Sequence, residues 1–332
     1  MANALIYGSG AIGSILGYLL CSAVSSKDEK EAEIENVALL GRHGHMQMIR
    51  EKGLKIDFPE DSFAERSKNL FFKHCFTSLA ELEKSDFIPD LVVVCVKTYS
   101  LPKVCRELME SGMIKGRLRD SEFILLMNGM GNKDAFQPLD LPEDRIREGV
   151  TSFGVKFSRD GHIELKGVGK TVFEEKEGSR ARKIEKFLKT GFEKKGFEIE
   201  FAPDFKRHQW NKLFVNSVIN PITALTRKEN AIVLLPELGS TVERIVAECA
   251  GVAAEEGIDT DPKSILNAVY YVAEKTSKNT SSMLQDIQRG RMTEIDSING
   301  YVMRRAEKHG IIAPVNTALH GLVKASEKRG PG

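Results

Sequence analysis

Short, wholly apolar runs alternate with stretches of helical periodicity through the first half of the chain: ALIY, GAIGSILGYLL, NVALL, a charged helix, and later LVVVCV, a helix from Leu101, and FILLM. Continuous apolar strands interleaved with helices predict β-α-β units on a parallel sheet, because such strands are covered on both faces. After Gly149 the pattern changes to hairpin-like strands, with turn signals at Arg159-Asp160-Gly161 and Gly167-Val168-Gly169. A helix from Ser179 and a strand FEIEFA follow. From Asp204 onward strand-like runs stop and five helical patterns follow, with Pro236, Pro262 and Pro314 near starts and Gly257 and Gly310 near ends. The pattern predicts an α/β N-terminal Rossmann-like domain over 1–202 and an all-α C-terminal domain over 203–332. The charged run SSKDEKEAEIE (25–35) reads as a solvated helix end and loop, and the terminal RGPG as a frayed tail.

Within the first helical pattern of the second half, Lys212, Asn216 and Asn220 recur at every fourth position of WNKLFVNSVINPITAL. Positions four apart drift by only ~40° around a helix, so an ammonium and two carboxamides share one face of an otherwise apolar element. A buried lysine is costly unless something answers its charge, and carboxamides both donate and accept, which suits a small oxygen-rich ligand. The plainer alternative is a solvated face or a set of internally satisfied amides.

Gly8-Ser9-Gly10-Ala11-Ile12-Gly13 follows ALIY and opens a helix, the context a G-x-G-x-x-G motif needs to bind a dinucleotide. Its glycines serve a tight turn, close approach of pyrophosphate, and helix–strand packing, and the free N–H groups at the helix start face the phosphates. NVALL ends at Gly41-Arg42, where an NAD site usually carries an acid. A guanidinium there suits a 2′-phosphate, and one charge-assisted contact of about 1.5–3 kcal/mol favours NADP by about one to two decades. Lys97 after LVVVCV, Asn128 in NGMGN after FILLM, and Thr151 to Val155 all follow strands, where a doubly wound sheet presents its ligands.

Composition narrows the partners. Lys+Arg 48 against Asp+Glu 47 leaves +1, so no global field favours nucleic acid or an anionic membrane. Five widely spaced cysteines without a C-x-x-C pair argue for a reducing, cytoplasmic compartment. Seven histidines without H-E-x-x-H leave no metal expected. GAIGSILGYLLCSAV reads as a helix of the fold, opened by a glycine motif, and no other apolar run approaches the ~20 residues that span a bilayer. The expected partner is a small molecule, and the apolar faces of the C-terminal helices leave room for a homodimer.

GSGAIG at Gly8, LLGR ending at Arg42, VKTY around Lys97, NGMG at Asn128, WNKLFVNSVINPITAL, and SSMLQDIQRGRMTEIDSINGYV from Ser281 together resemble the 2-dehydropantoate 2-reductases, or ketopantoate reductases. The resemblance runs from the first strand to about Val323. It implies a dinucleotide-binding domain, a helical domain, and NADPH-dependent reduction of ketopantoate to pantoate in pantothenate biosynthesis. By resemblance, Lys212 donates the proton to the keto oxygen, while Asn216, Asn220, Asn230 and Ser282 hold the substrate and Asn128 touches both ligands. Gly8 to Gly13, Lys97, the backbone near Val155 and Glu294 would hold the cofactor. The charged insertion after the first helix and Lys228-Glu229 before Asn230 depart from the family pattern. A plainer role for Ser282 is a helix N-cap, and for Glu294 a first-turn acid favoured by the helix dipole. Partial burial would lower the Lys212 pKa toward the working range, with Glu294 opposing that shift if close. Rival readings are a β-hydroxyacid or sugar-phosphate dehydrogenase, or a non-catalytic NADP-sensing protein.

Overall fold

In a computed structural model, residues 2–21, 34–59 and 66–327 are described. Most of the charged run and the RGPG tail fall outside them. The chain divides into two compact units. One comprises residues up to 96, 100–127 and 133–205; the other comprises 97–99, 128–132 and the chain from 206 on.

The first unit is built on an eight-stranded sheet in the order β12-β11-β8-β7-β6-β1-β2-β5. From one edge these are β12 (Ile199–Ala202), β11 (Thr171–Glu174), β8 (Ile146–Thr151), β7 (Glu122–Leu126), β6 (Leu91–Val94), β1 (Ala4–Tyr7), β2 (Ile34–Leu40) and β5 (Phe72–Phe76). The strands β5 through β8 run parallel, and β11 pairs antiparallel to β8. β1, β6 and β7 are buried at every position, which is why they read as apolar runs; the one exception, Glu122 at the start of β7, accepts from Arg147 Nε at 2.7 Å. The chain winds from β1 out through β2 to β5, then returns to β6 on the other side of β1, so the strand order reverses beside β1. Such a reversal opens a ligand crevice at the carboxyl ends of the two strands. Flanking the sheet are α1 (Ala11–Leu20), α2 (His43–Lys52), α3 (Leu79–Lys84), α4 (Leu101–Glu110) and α5 (Ser179–Glu193).

A second, four-stranded sheet was not anticipated: β4 (Ser67–Leu70), β3 (Leu54–Asp57), β10 (His162–Gly167) and β9 (Gly154–Arg159), in that order. β9 and β10 form the expected hairpin around Asp160-Gly161. The strand β4, SKNL, buries only Leu70, so no apolar alternation marks it. It pairs antiparallel with nearby β3, and β3 in turn pairs with β10 about a hundred residues away, a join that local pattern cannot reveal. β2 also begins at Ile34, so the end of the charged run is strand rather than loop.

The second unit is helical: α6 (Phe205–Thr226), α7 (Gly239–Glu255), α8 (Pro262–Lys275), α9 (Ser282–Gln288), α10 (Asn299–His309) and α11 (Pro314–Glu327). Asp261 caps α8 by accepting from Lys263 N and Ser264 N, and Gly310 closes α10 in the left-handed region. The helix expected over TEIDSINGYVMRRAEKHG starts only at Asn299, with a 3-10 turn over Ile295–Ser297 before it. α6 runs through Pro221 without a break. A proline there removes the bond to the carbonyl of Ser217, and Asn299 supplies the replacement, its Nδ2 donating to Ser217 O at 2.9 Å. Away from the polar stripe, α6 buries Trp210, Phe214 and Val218 in the core of this unit.

Candidate active site

α6 places Lys212 and Asn216 partly buried and Asn220 fully buried along one side. Burial pulls the Lys212 ammonium down to about 8, against the opposing charge of Glu294. The sequence-derived expectation that Glu294 would resist the shift therefore holds in direction. One turn beyond Asn220, Thr223 Oγ1 lies 2.6 Å from Ser281 Oγ, which ties α6 to the start of α9. Ser281, not Ser282, is the N-cap there, accepting from Leu284 N at 3.1 Å. That corrects the capping alternative and leaves the Ser282 hydroxyl exposed at the first position of the helix. Asn230 adjoins the same segment, its N–H donating to Asn279 O at 3.0 Å. Its Nδ2 donates to Thr276 Oγ1 at 2.9 Å, while its Oδ1 is buried without a partner among the described residues. A buried acceptor left open is costly unless a ligand answers it.

A second group forms around Glu294. This carboxylate is buried and accepts from Asn128 Nδ2 at 2.9 Å, from Lys97 Nζ at 3.3 Å and from Thr98 N at 3.3 Å. It is thus an ion-pair and hydrogen-bond hub preceding a 3-10 turn, not an exposed acid in the first turn of α10. Lys97 also donates to Asp286 Oδ2 at 2.6 Å, from α9. Burial works against its charge, but Glu294 and Asp286 outweigh that and hold the Lys97 pKa above the ordinary lysine value. Gly129 follows Asn128 with φ +78°, and a Cβ there would collide with the Ser297 carbonyl. Met130 N donates to that same carbonyl at 2.9 Å, so the NGMG turn is locked onto the segment carrying Glu294. The structure therefore joins Lys97, Asn128, Glu294 and the charge of Lys212 in one network. Asp286, Thr98 and Ser297 were not picked out from sequence. The sequence offered Asp286 a local partner in Arg289, three residues on, and gave no sign that it would meet Lys97.

In the first unit, the glycine motif occupies the carboxyl end of β1. Gly8 takes φ +100°, and a Cβ there would stand 2.7 Å from Val96 Cγ1, just after β6. Only glycine combines that conformation with so close an approach. Gly8 N and Ser9 N both donate to Leu40 O, at 2.9 and 3.0 Å, which fixes the loop against the end of β2. α1 begins at Ala11 behind Gly10 with no side-chain cap, and nothing lies within 4 Å of a Cβ built on Gly10. Uncapped N–H groups beside open space fit a pyrophosphate. Arg42 lies two residues past the end of β2 as the N-cap residue of α2, exposed. Val155 lies within β9 and packs on the sheet core. A Cβ on Gly13 would collide with the Gly8 carbonyl oxygen, a backbone atom that cannot swing aside as a side chain would. Gly13→Ala is expected to lower stability by about 1–3 kcal/mol and weaken dinucleotide binding, as thermal melts with and without cofactor would show. An unchanged melt in both conditions would contradict this packing role.

Among the described residues, no group of three or more His, Cys, Asp or Glu side chains could hold a metal ion. No helix of the described residues is long and apolar enough to cross a membrane.

A parallel sheet with a glycine loop at its strand reversal, followed by a helical unit carrying a partly desolvated lysine, defines the class of dinucleotide-binding oxidoreductases. Comparison with known proteins gives the family: residues 4–178 match the ketopantoate reductase PanE/ApbA family and 204–327 match its C-terminal family. The chain belongs to this family. It is 32% identical over 328 residues to a 2-dehydropantoate 2-reductase of Pyrococcus horikoshii, covering 98% of each chain. Among solved structures it is similar to a PanE/ApbA family ketopantoate reductase of Ralstonia eutropha JMP134, at 25% identity and TM-score 0.81, with 98% of each chain covered. It is also similar to D-mandelate dehydrogenase in a ternary structure with NADH and anilino(oxo)acetate, at 27% identity and TM-score 0.81, again over 98% of each chain.

Proposed function

We propose that this protein reduces 2-dehydropantoate to pantoate with NADPH, as a step of pantothenate biosynthesis, and that Lys212 is the proton donor. The observation that carries this reading is Lys212 itself, held near Glu294 with its pKa drawn down to about 8. The relative from Pyrococcus horikoshii, named a 2-dehydropantoate 2-reductase, supports the substrate. Glycines 8, 10 and 13 and Arg42 would hold the dinucleotide, which when bound supplies a hydride to the C2 carbonyl carbon. Lys212 stabilises the negative charge developing on the keto oxygen and then gives it a proton. Asn216, Asn220 and Ser282 are neutral, so they orient the substrate without trapping a product carboxylate too tightly. The open Oδ1 of Asn230 is an acceptor suited to the substrate hydroxyl. Glu294 keeps Lys212 protonated and, through Asn128 and Lys97, fixes the loops after β7 and β6.

The proton donor must be charged before transfer, so kcat should fall as pH rises through the Lys212 pKa near 8. Glu294 raises that pKa; replacing it with glutamine removes the raising charge, so Glu294→Gln should move the alkaline limb to lower pH by about one unit. A limb that stays in place in pH–rate profiles would detach Glu294 from Lys212.

The activity is tested by NADPH consumption with a panel of 2-keto acids. Turnover of ketopantoate well above the others supports the proposal, and binding of NADPH with no turnover points to a cofactor-sensing protein. A second reading has a specific basis in the likeness to D-mandelate dehydrogenase: a branched or aromatic 2-keto acid reduced with NADH. Preferential turnover of benzoylformate with NADH would select it. The same proposal places the enzyme in the cytoplasm; its state as monomer or homodimer is read by sedimentation.

A further inference from the structure

The β9–β10 hairpin does more than cover the sheet. Phe157 on β9 lies under the Arg42 guanidinium, whose carbon stands 5.5 Å from the ring centroid. The same ring also meets the buried His45 on α2, at 4.9 Å between centroids. His45 is itself held from both sides. Gly161 N, in the hairpin turn, donates to its Nδ1 at 2.9 Å, so Nδ1 carries no proton and Nε2 donates to Ser14 Oγ at 3.1 Å. Ser14 lies in α1, the helix that the glycine loop opens. Burial favours the neutral ring this pattern requires, and draws the His45 pKa down to about 4. The hairpin, α2 and α1 are thus fastened together by one uncharged imidazole, and Phe157 is fixed in the same stack.

Arg42 otherwise has reason to wander. It is exposed, and Asp160 at the hairpin turn brings a carboxylate to the first turn of α2, 2.5 Å from where a Cβ on Gly44 would stand. An acid on that rim opposes a phosphate unless the guanidinium is held to outweigh it. A planar cation laid on an aromatic face is restrained in the plane that a bidentate phosphate contact needs.

We propose that Phe157 is a specificity-determining positioning residue, bracing Arg42 for the adenosine 2′-phosphate of the cofactor. This rests on the NADPH reading above. The test is calorimetric binding of NADP⁺ and NAD⁺ to the full-length protein, read as the ratio of the two Kd values. In the parent the ratio favours NADP⁺, and Arg42→Ala brings it near one; a parent ratio near one would overturn the NADPH reading itself, and the brace with it. Given that preference, Phe157→Leu should shrink the ratio about two- to fivefold, the size expected of an exposed cation–π contact. Phe157→Tyr should keep it. In the Arg42→Ala background, Phe157→Leu should change the ratio no further, because the ring acts only through the arginine. A full parent ratio in Phe157→Leu, or an equal loss with and without Arg42, overturns the brace while leaving the NADPH reading intact. If circular dichroism shows the leucine chain unfolded, Phe157→Met carries the same comparison.

Discussion

Lys212→Ala is expected to lower kcat by ~10²–10⁴ while leaving the Kd for NADPH within a few fold of the parent, the range a positioned general acid supplies. The reasoning is local to α6. Lys212 shares its face with Asn216 and Asn220, and burial draws its pKa toward neutrality while Glu294 keeps it charged. Alanine removes the proton and the positive charge together, whereas the amides and the glycine loop remain. Steady-state rates combined with direct cofactor binding separate the two effects. Near-normal kcat would remove Lys212 from its role, and a parallel collapse of cofactor affinity would point to a structural lysine instead.

The second large effect is expected at Arg42. Gly8 N and Ser9 N both bond to Leu40 O, so the end of β2 and the glycine loop form one rigid unit with Arg42 on its rim. Losing one charge-assisted phosphate contact costs about 1.5–3 kcal/mol, so Arg42→Ala should raise KM for NADPH by about one to two decades with KM for NADH little moved. Equal KM values for the two cofactors in the parent would refute the assignment.

How much of this was legible beforehand differs from element to element. The strands β1, β6 and β7 announced themselves because strands buried on both faces are apolar at nearly every position, the buried Glu122 of β7 being paired with Arg147. The four-residue recurrence of Lys212, Asn216 and Asn220 was visible because helical geometry is set locally. The second sheet was not, since SKNL carries a single buried side chain and the sheet is completed by β3 pairing with the distant β10. Ser281 and Ser282 could not be told apart as caps from sequence; the backbone dihedrals and the bond from Leu284 N to Ser281 Oγ decide it. Asn299 as the group that satisfies the carbonyl freed by Pro221 was likewise invisible, because its partner lies on another helix.

Local periodicity and spacing thus determined the class of fold, the glycine loop after β1 and the polar face of α6, since each follows from backbone geometry within a few residues. Tertiary packing alone decided which charges meet: that Lys97 faces Asp286 and Glu294, that Glu294 also holds Asn128 and acts on Lys212, and that Phe157 lies under Arg42. Electrostatic strength depends on separation and burial in space, and neither is written in the distance along the chain.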